Sequence, residues 1–327
     1  LREFTTALLF NIMFAIMLKI REDRPSTLVN KLNITDVSKN ATPEDKPNTL
    51  VNRPNIREDN TSTTLLNRDA TPEDKPNTLV SKLSIREDST NTTFSGVLTA
   101  ATLANLRLIK VGSGELTLTG VSNFTGANTA ATNAVTINGG TISVSTLGNG
   151  GSGSGIGAAS NAALNIVIEG GTLKYIGVAN TSTDRGFTIG STAAGSTATI
   201  DASGSGSLTF AAAGGTIAYG TTNLARNLIL TGTSIAAITN TFGKVIANNG
   251  TGVTTLTKNG SNTWALTAAN TYTGATNVNA GTLVLSAGSL ANAATTNSTI
   301  NVNVASGATL AVTTAASGNY QIGRAHV

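Results

Sequence analysis

LTKNGSNTWALTAANTYTGATNVNAGTLVL, residues 256–285, alternates short runs of Thr and aliphatic residues with Gly and Asn. Its last part, Thr276–Leu285, shows period-two alternation on both sides of an Asn279-Ala280-Gly281 turn. Thr and branched aliphatics favour strands, and Gly and Asn supply the turns. The same pattern extends outward from this stretch. LTLTG (116–120), AVTING (134–139), LNIVIEGG (164–171), ATIDASG (198–204) and SLTFAA (207–212) all read as short strands. No window carries a helical stripe.

A smaller unit recurs within this text. GGTISV (139–144), GGTLKY (170–175), GGTIAY (214–219), AGTLVL (280–285) and GATLAV (307–312) each place a Gly/Ala turn before a Thr-led strand. Their starts, at Gly139, Gly170, Gly214, Ala280 and Gly307, are unevenly spaced. Irregular spacing of a strand–turn–strand unit predicts a β-solenoid with variable loops. One coil cannot bury its own apolar face, so coils stack and inward Val, Ile and Leu form continuous ladders. At roughly 20–25 residues per coil, the region predicts on the order of ten coils.

Composition agrees. The 327 residues include 35 Gly and no Cys, with 4% aromatic and 12% charged residues. So little charge and aromatic mass argues against a compact α/β enzyme. The lack of Cys removes disulfides and thiolate metal sites. Beyond residue 95 the basic residues are Arg107, Lys110, Lys174, Arg185, Arg226, Lys244, Lys258 and Arg324. They form no run and do not interleave with aromatics, so no nucleic-acid partner is expected.

The text before Phe94 differs. Residues 1–20 contain the apolar stretch ALLFNIMFAIML (7–18), a candidate signal peptide or signal-anchor. The stretch is short for a membrane span, and no small-residue cleavage site follows it. Residues 21–93 repeat EDRPSTLVN (22–30), EDKPNTLVN (44–52) and EDKPNTLVS (73–81), the last two inside a tandem unit that starts at Ala41 and again at Ala70. Charged, Pro-containing and poor in aliphatics, this segment is expected to be a low-complexity, disordered spacer, with a translated DNA minisatellite of no selected function as the alternative. Residues 94–316 are expected to form the solenoid. Residues 317–327 read as a truncated end, because IGRAHV (322–327) resembles a translated sequencing adapter.

A longer unit occurs twice at matched spacing. Lys110, Gly112, Gly120, Phe124 and Gly126 mark the first copy. Lys258, Gly260, Trp264, Tyr272, Gly274 and Gly281 mark the second. Lys110 precedes Phe124 by the same interval as Lys258 precedes Tyr272. The first copy carries a short insertion between Phe124 and Gly140. These residues resemble the autotransporter-associated β-strand repeat of large bacterial surface proteins, and TDRGFTIG (183–190) resembles the spacer such proteins carry. The resemblance implies an all-β, right-handed parallel β-helix, exported to the cell surface or outer membrane. It implies no single activity, since the repeat is scaffold.

Candidate chemistry is sparse. Glycoside hydrolysis needs two carboxylates about 5–10 Å apart. The region offers Glu115, Glu169, Asp184 and Asp201, of which Asp184 and Asp201 could fall on neighbouring coils. The preferred reading is that Asp184 pairs with Arg185 or caps a turn and that Asp201 sits at a strand end in ATIDASG (198–204). His326, the one His, lies in the suspect tail, which removes a Ser–His–Asp triad. The Gly-rich run Gly148–Gly157 lacks phosphate-loop and Ca²⁺-repeat residues and reads as a flexible surface loop. Trp264 and Tyr272 are expected to pack, with a sugar-stacking platform as the alternative.

The expectation is therefore a structural or adhesive, non-catalytic surface protein with no cofactor and no metal. Its partners would be host or environmental glycans or proteins. Membrane association would come only through a missing C-terminal anchor or the N-terminal apolar segment. The alternatives are a polysaccharide-acting enzyme on the same scaffold, or a pure spacer for a missing functional domain.

Overall fold

Alternation decides which residues turn inward. In β4 (Glu115–Leu118), Leu116 and Leu118 are buried while Glu115 and Thr117 are half-exposed. β8 (Thr172–Tyr175) buries Leu173 and Tyr175, and β11 (Ser196–Ala202) buries Ala198, Ile200 and Ala202. A strand this short cannot fold by itself. Stacking like faces removes their apolar surface from water, at ~1.5–3 kcal/mol for each fully buried large aliphatic side chain.

The computed structural model describes residues 83–86, 91–98, 106–126, 133–190, 192–234, 237–286, 289 and 302–313. The apolar stretch 7–18, nearly all of the spacer and the tail 317–327 lie outside them. Three parallel sheets run along the solenoid. The first stacks β1 (Leu83–Arg86), β3 (Leu108–Val111), β5 (Val135–Ile137), β7 (Ile166–Ile168), β10 (Phe187–Ile189) and β13 (Ile217–Tyr219). The middle sheet stacks β2 (Thr92–Phe94), β4, β6 (Thr141–Val144), β8, β11, β14 (Arg226–Thr231), β16 (Thr254–Lys258), β18 (Thr276–Val278) and β20 (Val302–Val304). The third stacks β9 (Thr181–Thr183), β12 (Leu208–Phe210), β15 (Thr239–Phe242), β17 (Thr263–Leu266), β19 (Thr282–Leu285) and β21 (Thr309–Val312). The one helical turn among the described residues is Ala163–Asn165. No described helix is long and apolar enough to cross a membrane. The first strands, β1 and β2, begin before the compositional shift at Phe94.

Every pairing between these strands is parallel, as a β-solenoid requires. Three sheets of this length make about seven full turns, fewer than the ten expected. The reason is coil length. Thr257 pairs with Asn277, but Thr141 pairs with Thr172, half as far again along the chain. The longer coils carry loops, and those loops use chain that shorter coils would have turned into further strands.

The irregular spacing of the Gly-Thr units has a different origin from variable loops alone. The units at 139–144 and 170–175 end in middle-sheet strands β6 and β8. The unit at 214–219 ends in β13 of the first sheet, and those at 280–285 and 307–312 end in β19 and β21 of the third. The unit is a corner, and it serves more than one corner of the coil.

The core is a set of ladders. Leu116, Ile142, Leu173, Ile200 and Leu230 follow one another in register down the middle sheet, and all are buried. Beside them runs an aromatic cluster. Phe187 meets Phe210 edge-on at 5.8 Å, Phe210 meets Phe242 at 5.5 Å, and Phe242 meets Trp264 edge-on at 6.4 Å. Where a sheet stops inside the solenoid, a loop lies against the last strand. Tyr219 of β13 and Ala247 bond each other both ways, with the Tyr219 hydroxyl donating to the Ala247 carbonyl and accepting from its N–H.

Candidate functional site

The outward positions of the middle sheet form a row. Glu115, Thr141, Thr172, Thr199, Ile229, Thr257, Asn277 and Asn303 are register partners from one coil to the next. Beside them run Thr197, Asn227 and Thr255. Asn side chains bond along the stacking direction: Asn303 Nδ2 donates to Asn277 Oδ1 at 2.8 Å, and Asn279 Nδ2 to Asn259 Oδ1 at 2.9 Å. From Thr199 onward the row carries no charge. It is a largely polar, uncharged surface held by the scaffold.

Charge collects at the other end of this face. Lys174 Nζ lies 3.4 Å from Glu115 Oε2, across an intervening coil, and Ser143 Oγ donates to Glu115 Oε1 at 2.5 Å. Asp201, the register partner of Lys174, accepts a hydrogen bond from Ser203. Burial pushes the Asp201 carboxyl above the usual carboxylate range. Ser203 and Lys174 oppose that rise, and Glu115 adds to it.

The structure does not bring Asp184 to Asp201. Asp184 accepts from the Gly150 N–H at 2.7 Å and from Asn161 Nδ2 at 2.9 Å, on the third-sheet side. Burial raises its pKa, but Gly150, Asn161, Lys244 and Arg185 together hold it below the usual value. None of these groups acts on Asp201, whose charged neighbours are Lys174 and Glu115.

The repeat residues fall at the corners. Lys110 lies on its strand's buried side in register with Ile137, and Lys258 sits in the middle-sheet ladder between Leu230 and Val278. Both are fully buried. Lys110 Nζ donates to the carbonyls of Val111 (2.9 Å) and Gly112 (3.2 Å). Lys258 Nζ donates to those of Asn259 (2.6 Å), Gly260 (2.8 Å) and Ala280 (3.0 Å). A tight corner leaves carbonyls without strand partners, and a charged donor satisfies several at once. The corner glycines agree in both copies. A Cβ on Gly140 would stand 2.5 Å from the Gly112 carbonyl, and one on Gly281 would stand 2.5 Å from that of Gly260. Their φ angles are +60° and +63°.

Phe124, Trp264 and Tyr272 are buried, so Trp264 and Tyr272 offer no stacking platform to a sugar. Trp264 Nε1 donates to the Thr231 carbonyl at 3.0 Å, and Tyr272 Oη and Thr276 Oγ1 hydrogen-bond each other at 2.6 Å. Gly120 and Gly274 leave room for the carbonyls of Gly96 and Thr254, and Gly126 stands against Ala134 with φ +70°.

The Gly148–Gly157 run is not a loose loop. It folds around the buried Arg185 guanidinium. Nε donates to the Gly148 carbonyl at 2.9 Å, and Nη1 to that of Ala159 at 2.7 Å. Nη2 reaches the carbonyls of Asn149 (3.1 Å), Ser152 (3.0 Å) and Gly157 (2.9 Å). The loop thereby covers β9, the end strand of the third sheet, and Thr183 Oγ1 donates to the Gly148 carbonyl at 3.0 Å. Lys244 and Arg226 work similarly. Lys244 Nζ donates to the carbonyls of Asp184 and Ala213, and Arg226 to those of Ile189, Ala193, Ala225 and Thr221. Among the described residues, Lys110, Arg185, Arg226, Lys244 and Lys258 thus turn their charge inward, onto backbone carbonyls.

These burials set an alkaline profile. Burial pulls the Lys258 ammonium down to about 8, against 10.5 in water. The unfolded chain then binds more protons between those pH values, so stability rises as pH climbs through them. Burial pushes Tyr272 up to about 12 despite its Thr276 bond, and raises Tyr175 and Tyr219. A raised tyrosine contributes stability that is complete below pH ~10 and lost as pH rises towards the folded value. Urea midpoints measured across this range should first climb and then fall. Lys258→Met should flatten the climb, leaving the part that the likewise depressed Lys244 and Arg185 supply, and Tyr272→Phe should soften the fall; an unchanged profile in both variants would refute the assignment. At neutral pH, Lys258→Met should cost about 1–3 kcal/mol through the stranded carbonyls.

Parallel stacking, corner lysines and buried aromatics define a parallel β-solenoid. The chain carries passenger-associated-transport repeats at residues 108–144 and 256–285. It is 45% identical over 148 residues to the adhesin BmaC autotransporter of Brucella suis biovar 1 (strain 1330). That match covers 45% of this chain and 4% of the adhesin, so the chain spans a small fraction of its relative's length. No solved structure matches it. The two repeats occupy different faces. The first lies on the first and middle sheets, as β3 to β6, and the second on the middle and third sheets, as β16 to β19.

Proposed function

We propose that this chain is part of a secreted, surface-displayed adhesive passenger, and that it works by contact rather than catalysis. The uncharged stretch of the middle-sheet row from Thr199 to Asn303, Thr and Asn apart from Ile229, carries this reading. Like groups repeated every ~4.8 Å offer many weak contacts in one line, which add up without a deep pocket. The partner class is a host or environmental glycan or protein. The relative's description as an adhesin supports the same direction.

The test is binding of the full chain to immobilised glycans and matrix proteins, beside a variant with Thr199→Lys and Thr257→Lys. These outward substitutions leave the ladders intact. Binding by the parent and roughly a tenfold or greater loss in the variant is the expected result. Equal binding by both would remove the row from the interface. Release of reducing ends from a polysaccharide would replace the reading with the enzyme one.

A further inference from the structure

Four Asn-Gly pairs lie in the described residues: Asn138-Gly139, Asn149-Gly150, Asn249-Gly250 and Asn259-Gly260. In such a pair the Gly nitrogen can reach the side-chain amide carbon, because no Cβ restrains the backbone. The surroundings of the four differ. Asn149 Oδ1 accepts from the Asp184 N–H, and the Gly150 N–H is held by the Asp184 carboxylate. Asn249 is buried and its Nδ2 donates to the carbonyls of Thr221 and Leu224. Asn259 Oδ1 accepts from Asn279, and its carbonyl accepts from Lys258. Asn138 is exposed, and among the described residues neither its side chain nor the Gly139 N–H has a hydrogen-bond partner.

We propose that the exposed turn Asn138-Gly139-Gly140, with both reacting groups unengaged, makes Asn138 a site of spontaneous deamidation. The Gly139 nitrogen attacks Asn138 Cγ and loses its proton, and the side-chain amide leaves as ammonia. The resulting five-membered imide takes up one water. Opening at one carbonyl gives Asp at position 138. Opening at the other gives isoaspartate, with the main chain routed through the side-chain carbon. The net reaction consumes water and releases ammonia, with no oxidant, metal or enzyme.

The second repeat supplies an internal control. Asn279-Ala280-Gly281 stands at the equivalent corner, but Ala follows the Asn and the Asn279 amide donates to Asn259. The modification therefore distinguishes two otherwise matching corners. It adds a negative charge, or an extra backbone carbon, between β5 and β6 of the first repeat alone.

The full chain, aged at body temperature and mildly alkaline pH, should be mapped by mass spectrometry with isoaspartate detection. An NH₂-to-OH mass gain should accumulate at Asn138 ahead of Asn149, Asn249, Asn259 and Asn279. Gly139→Ala, which copies the residue found at Ala280, should slow it roughly tenfold or more by restricting the backbone. The same chain aged in urea provides the reference rate. Faster reaction at any other Asn, or protection of Asn138 in the folded chain relative to urea, would overturn the proposal.

Discussion

Arg185→Ala should lower the unfolding free energy by about 3 kcal/mol or more, because several buried carbonyls lose their charged donor and each left unsatisfied costs about 1–3 kcal/mol. The guanidinium is buried and donates to five backbone carbonyls between Gly148 and Ala159. Alanine removes the one donor common to all five. It also uncovers β9, whose far edge is otherwise covered by this loop, and a free edge pairs with other chains. Arg185→Lys should recover only part of the loss, because a point charge cannot fan out across five acceptors. Urea unfolding measures the loss. Hydrogen exchange should show faster exchange confined to the loop and β9. A cost below about 1 kcal/mol with the loop still protected would mean that it is held by its own contacts.

Trp264→Ala should cost a similar amount, about 3–5 kcal/mol, by cavity formation in a core that cannot fully collapse. The side chain has no exposed surface and packs edge-on against Phe242. Its loss also removes one of two side-chain donors to the Thr231 carbonyl, the other being Asn262 Nδ2. In a stacked array each coil contacts mainly its neighbours, so the weakening should centre on β15, β17 and β19. Trp264→Leu installs the residue that Leu116 provides in the first copy and should recover part of the loss. Exchange rates read coil by coil would test this. Uniform loosening of the whole solenoid would argue against nearest-neighbour stability.

Strand positions are legible in the sequence because they depend on local alternation. VTI at 135–137, TLKY at 172–175 and TLVL at 282–285 are strands as the pattern predicts. Which sheet each strand joins is not legible. The Gly-Thr corner looks the same before β8, β13 and β19, although these lie in three different sheets. Face depends on the length of chain since the preceding corner, and loops such as that before β7 obscure it. The buried lysines are readable in principle. Lys110 follows Leu108 by two, and Lys258 follows Leu256 by two, so both occupy inward positions. Their chemistry is hidden because the acceptors are backbone carbonyls, which every residue carries. Arg185 is harder still. Its acceptors lie far back along the chain, in a segment whose glycines suggest looseness.

The displacement of the second repeat by one face bears on how such a chain can change. A crossover between the two copies, at Lys110 and Lys258, would join matching corners and leave an unbroken solenoid. Everything after the junction would nevertheless be turned by one face about the long axis. The Thr/Asn row downstream would then point in a new direction, with no residue substituted. Recombination between like segments can thus re-aim a surface while preserving the core beneath it, and the heading of the displayed face can vary independently of its composition.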